Sequence, residues 1–79
     1  MGKNELIERI VESLAERQGR SGNPGSGPVL TIDKDRWLVF DVTPEKVYIT
    51  NISKGYGTSF PLRGLSALQL KKILNWMER

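Results

Sequence analysis

The chain has 79 residues with no cysteine and no histidine. That excludes disulfides and thiolate metal sites, and it removes the usual general base, nucleophile partner and metal ligand near neutral pH. The length suits a single domain spanning 1–79, and the formal charge of +3 is modest. No apolar run approaches the roughly 20 residues that cross a bilayer. No signal peptide is visible, and Leu6 stands where a myristoylation signal after Gly2 would carry Ser or Thr, so a cytoplasmic location is expected.

Charge is unevenly spread. Residues 1–27 carry Lys3, Arg9, Arg17 and Arg20 against Glu5, Glu8, Glu12 and Glu16. From 46 to 77 there are Lys46, Lys54, Arg63, Lys71 and Lys72 and no acid. An acid-free stretch of this kind is an electrostatic footprint for nucleic acid or an acidic partner, or else a solvated surface.

Residues 4–20 have the period of an amphipathic helix. Asn4 stands as cap, Glu5 and Glu8 lie in the first turn, and Leu6, Ile7, Ile10, Val11 and Leu14 recur as one stripe, with Gly19 as the stop. The stretch 19–28, GRSGNPGSGP, has the composition of a flexible linker. It lacks the Lys-Ser/Thr of a phosphate loop and lies between a helix and a strand, the reverse of that loop's setting.

Strands are expected at 29–33, 36–42 and 46–53, with turns at Lys34-Asp35 and Pro44-Glu45. A tight turn at Pro44-Glu45 sets Val42 opposite Val47 and Phe40 opposite Ile49. Leu38, Phe40, Val42, Val47 and Ile49 then share the core face. A hairpin loop at 54–57 would pair Asn51 with Phe60 and Ile49 with Leu62, making 58–62 a short fourth strand with Pro61 outward on its edge. The last helix follows, with Ser66 and Gln69 as a capping box and Ala67, Leu70, Ile73, Leu74 and Met77 as its buried stripe. Trp76 lies off that stripe, as cover for the helix flank or as a contact point.

The fold class is therefore α+β: an antiparallel sheet of three to four strands between N- and C-terminal helices, in two layers. The second sheet face would carry Thr31, Trp37, Val39, Asp41, Tyr48, Thr50 and Ile52. Either both helices cover the first face and leave this one in water, or the N-terminal helix folds over it and Trp37 is core.

The order of helix, three strands and helix, with Gly55-x-Gly57-x-Ser59 after the third strand, resembles a double-stranded-RNA-binding domain. That family carries a lysine pair directly after the serine, bridging RNA phosphates. Here Phe60-Pro61-Leu62 follow Ser59 and the pair Lys71-Lys72 comes later, so the resemblance ends at topology and assigns no family.

Catalysis finds little support. Asp33 and Asp35 flank Lys34 as an acidic turn, and Ser59 and Ser66 have no histidine to activate them. No catalytic, metal or cofactor residue is assigned. The expectation is a non-catalytic binding module. Trp37, Tyr48 and Tyr56, with Arg36, Lys46, Lys54 and Arg63, would contact nucleic acid by stacking and phosphate pairing. The alternative is a protein-interaction or homodimerisation module, of adaptor or inhibitor type, using Trp37, Val39, Tyr48 and Ile52 on the same face.

Overall fold

A computed structural model describes residues 2–16 and 27–78 of the chain. The order is α1 (Lys3–Glu16), β1 (Val29–Ile32), β2 (Asp35–Val42), β3 (Lys46–Asn51), β4 (Gly57–Pro61), a single 3-10 turn (Leu62–Gly64) and α2 (Ala67–Met77). The four strands form one antiparallel sheet in the order β1-β2-β3-β4, so the chain is an α+β protein of the expected kind. Each strand pairs with its sequence neighbour, which short hairpin turns make the cheapest arrangement.

Helix α1 begins at Lys3, two residues earlier than a cap at Asn4 would set it. Leu6 N–H donates to the carbonyl of Gly2 at 3.1 Å, so Asn4 lies inside the first turn and not at the cap. Leu6 and Ile10 are buried and Ile7, Val11 and Leu14 half-buried; Ser13 joins the buried side. The expected stop at Gly19, and residues 19–26 of the expected linker, lie outside the described residues. Helix α2 is capped as expected. Gln69 N–H donates to Ser66 Oγ at 3.2 Å, and Ser66 N–H donates to Gln69 Oε1 at 2.9 Å. Gln69 also donates through Nε2 to the Thr31 carbonyl at 2.8 Å, tying the cap to the outer edge of β1. Leu70, Ile73, Leu74 and Met77 are buried, while Ala67 is exposed.

The Pro44-Glu45 turn stands where expected, and the other two turns sit one to two residues earlier. Ile32 pairs with Asp35, so Asp33 and Lys34 make the first turn, both in the left-handed region at φ 51° and 70°. That is the geometry of a two-residue hairpin whose twist matches its strands. Between β3 and β4 the turn occupies 52–55, with Gly55 at φ 77°, and Thr50 pairs with Gly57 and Val47 with Phe60. Asn51 causes this shift. Its buried side chain accepts from the N–H groups of Ser53 (3.1 Å) and Lys54 (2.8 Å), starting an Asx-type turn immediately after itself. Relative to the expected pairing the shift at Ile49 is from Leu62 to Thr58, an even number of residues, so Phe60 keeps its core-side orientation. Leu62 leaves the strand for the 3-10 turn, where it is buried. Asn51 N–H to Tyr56 O and Leu62 N–H to Glu45 O fix the alternation of the ladder, placing Pro61 where its missing N–H would point away from β3.

The core lies between the sheet and both helices. Trp37, Val39, Val42, Val47 and Ile49 form its floor, and Leu6, Ile10, Leu70, Ile73, Leu74 and Met77 its roof. Trp76 is half-buried and packs against this cluster. The strand leading into β1 is held tightly: Val39 N–H donates to the Pro28 carbonyl at 3.0 Å. A Cβ on Gly27 would fall 1.8 Å from the Val39 carbonyl oxygen, so that backbone approach admits only glycine. Gly27→Ala should therefore lower stability by about 1–3 kcal/mol, read as a fall in the urea midpoint; an unchanged midpoint would contradict the close approach.

Candidate functional site

The expected faces of β2 are exchanged along its first half. Val42 pairs with Val47 and Asp41 with Tyr48 as predicted, but Val39, not Phe40, pairs with Ile49. Phe40 is the extra residue of a β-bulge between Val39 and Asp41, and every side chain before it is moved to the opposite face. Trp37 is 8% exposed and Val39 fully buried, so both belong to the core and not to an open surface. Trp37 Nε1 donates to the Ile32 carbonyl at 3.3 Å, the partner a buried indole needs. Leu38 and Phe40, expected in the core, take the outer face.

Both helices lie on the Trp37 side, so among the described residues no helix covers the other side. The outer face is ordered in rows across the sheet. Thr31 stands beside Arg36; Val29, Leu38, Thr50 and Gly57 make the next row; Asp41, Tyr48 and Ser59 the third; Lys46 and Pro61 the last. Phe40 leans over the third row, its ring centroid 6.2 Å from that of Tyr48. Lys46 Nζ lies 5.7 Å from the Tyr48 centroid, within reach of a cation–π attraction. Phe40 is 36% exposed and Val29 is also exposed, while Leu38 and Tyr48 are half-buried by their neighbours. The Asp41 carboxylate accepts the Val42 N–H at 2.9 Å, which turns its charge toward the backbone. Arg36 and Lys46 thus stand at opposite ends of an aromatic and aliphatic strip, three row spacings or roughly 20 Å apart.

Of the nine residues singled out from the sequence, Arg36, Lys46 and Tyr48 meet on this face. Trp37 and Val39 are on its reverse. Lys54 and Tyr56 belong to the β3–β4 turn. Tyr56 is 49% exposed and sits edge-on to Trp37, centroids 5.5 Å apart at 86°, on the helix side of the sheet. Lys54 Nζ is 3.7 Å from Asp35 Oδ2, an exposed pair that contributes little. Ile52 is exposed in the same turn, its N–H donating to the Arg36 carbonyl. Arg63 lies in the 3-10 turn, where its carbonyl accepts from Lys3 Nζ at 2.7 Å. The sequence reading missed Phe40, Leu38 and Val29. The run Trp37-Leu38-Val39-Phe40 is apolar at every position, so alternation offers no signal for which pair faces in.

The two carboxylates beside Lys34 differ in their surroundings. Asp35 accepts from Asn51 Nδ2 at 3.3 Å and pairs with Lys54, whereas Asp33 is exposed in its turn. Among the described residues, no group of three or more carboxylates is gathered as a metal-ligand set, and no helix is long and apolar enough to cross a membrane. What the fold and this surface define is an α+β protein with a two-helix layer behind a sheet whose front is open and aromatic. Comparison with protein-family models, with curated proteins and with solved structures finds no match to this chain.

Proposed function

We propose that the chain is a non-catalytic binding module that takes single-stranded nucleic acid on the open sheet face. The observation that carries this reading is the Phe40–Tyr48 ring pair, Phe40 exposed and Tyr48 half-buried, with the Lys46 ammonium beside it on a face that neither helix covers. Exposed aromatic rings accept stacked bases of any sequence, and flanking cations hold the phosphates. Arg36 and Lys46 at the two ends of the strip give a short strand one contact on either side of the stacking surface. The acid-free stretch from 46 to 77 supports the same reading through its charge.

The test is fluorescence anisotropy with labelled single-stranded RNA and DNA at roughly 50 and 200 mM salt. Two phosphate contacts correspond to about a sevenfold loss of affinity across that range. Tyr48→Ala should weaken binding roughly tenfold or more, since one stacked base is worth about 1–3 kcal/mol. Absence of binding at the lower salt overturns the reading. A second reading then takes its place: the same face as a protein-interaction or homodimer surface, favoured by Val29 and Leu38, which extend the strip with aliphatic groups that stack no base.

A further inference from the structure

The opposite surface of the molecule, the outer side of the helix layer, carries a separate pattern. Helix α1 turns Glu5, Glu8, Glu12 and Glu16 to solvent, and helix α2 turns out Leu68, Lys71, Lys72 and Asn75. Leu68 is 65% exposed, the most open large apolar side chain among the described residues. It lines a groove of about 380 Å³ between the helices, together with Leu6, Arg9 and Lys71. The ion pairs of the described residues, Arg9–Glu78 and Lys54–Asp35, use none of these four glutamates and neither lysine. An acidic ridge therefore runs beside a basic ridge, with an apolar side chain next to the furrow that separates them.

The helices run side by side in the same sense. Lys3 at the start of α1 meets Arg63 just before α2, and Arg9 farther along α1 meets Glu78 at the end of α2. A two-fold axis parallel to the helices and lying in the contact plane would set α1 of one copy on α2 of the other. Both acidic ridges would then face basic ridges, and the two Leu68 side chains would enter the shared furrow.

The geometry points to a second copy of this chain as the occupant of the helix face, in an isologous dimer held by α1 on α2. Charge complementarity singles out this occupant, because one surface supplies both halves of the match. Two helices of this length, about 10 Å apart, offer a face on the order of 20 by 20 Å. With about 800 Å² covered in total, the contact falls in the class of weak, transient interfaces, where association no tighter than the micromolar range is expected.

Sedimentation equilibrium of the full chain tests it at low and high salt. The wild type should dimerise, more weakly as salt rises. Leu68→Glu, at an exposed position that leaves the core intact, should weaken association at least tenfold. The decisive arm uses two charge-reversed chains, one with Lys71→Glu and Lys72→Glu, the other with Glu8→Lys and Glu12→Lys. Each alone should be monomeric, because like ridges would meet at both contacts. Their equimolar mixture should form a heterodimer, because both contacts are then opposite in sign. A wild type that stays monomeric overturns the proposal. So does a dimer indifferent to Leu68→Glu, or a pair of charge-reversed chains that fails to associate. All of these variants keep Phe40, Lys46 and Tyr48, so the result is independent of nucleic-acid binding.

Discussion

Trp37→Ala should remove most of the stability of the protein. Large-to-small changes at a buried aromatic cost about 3–5 kcal/mol. A domain of this length has roughly 4–12 kcal/mol in total. Trp37 is placed to exact the full cost: its ring is 8% exposed in the floor of the core, its indole N–H is bonded to the Ile32 carbonyl, and its face supports Tyr56. The cavity would lie between the sheet and the helices, which hairpin connections and both helix ends hold in place, so little collapse is available to relieve it. In urea, with a slope of about 1 kcal/mol/M, the midpoint should fall by roughly 3 M or the transition should vanish. Tyr56→Ala should cost far less, because that ring is half in solvent. A Trp37→Ala protein with an unchanged midpoint would return Trp37 to the surface and restore the straight register of β2.

Deleting Phe40 should leave the protein folded, whereas deleting Thr50 should not. A deletion inside a strand ordinarily exchanges the faces of everything on one side of it. At Phe40 it does the reverse. The bulge already holds one residue too many, so joining Val39 to Asp41 converts the ladder to a regular one with Trp37 and Val39 still inward and Val42 still opposite Val47. The loss should be about 1–2 kcal/mol, from the partly buried ring and its tilted contact with Tyr48. Thr50 sits in central strand β3, paired with Leu38 on one side and Gly57 on the other. Removing it forces Ile49 or Asn51 out of place and misaligns two ladders at once. Cooperative urea unfolding is expected for the first deletion and none for the second. The opposite order would refute the bulge.

The elements themselves were legible in the chain. Helix period, the Ser66/Gln69 capping box, the hairpin order of the strands and Pro61 at a sheet edge are all consequences of neighbours within a few residues of one another, and each is present. Local chemistry also explains the shifted β3–β4 turn once the Asn51 side chain is seen to cap it, a preference readable in principle from Asn at that position. The facing of β2 was of another kind. Trp37, Leu38, Val39 and Phe40 are apolar without interruption, so burying either alternate pair satisfies the pattern equally well. The choice between them is a tertiary one: the floor of the core takes Trp37 and Val39, Gly27 closes on the Val39 carbonyl, and the strand accommodates the surplus by bulging at Phe40. A single inserted residue therefore decided which aromatic side chains reach solvent. It exchanged Trp37 for Phe40 in the candidate binding surface and brought Arg36 onto that face, while leaving Lys46 and Tyr48 where the alternation had placed them.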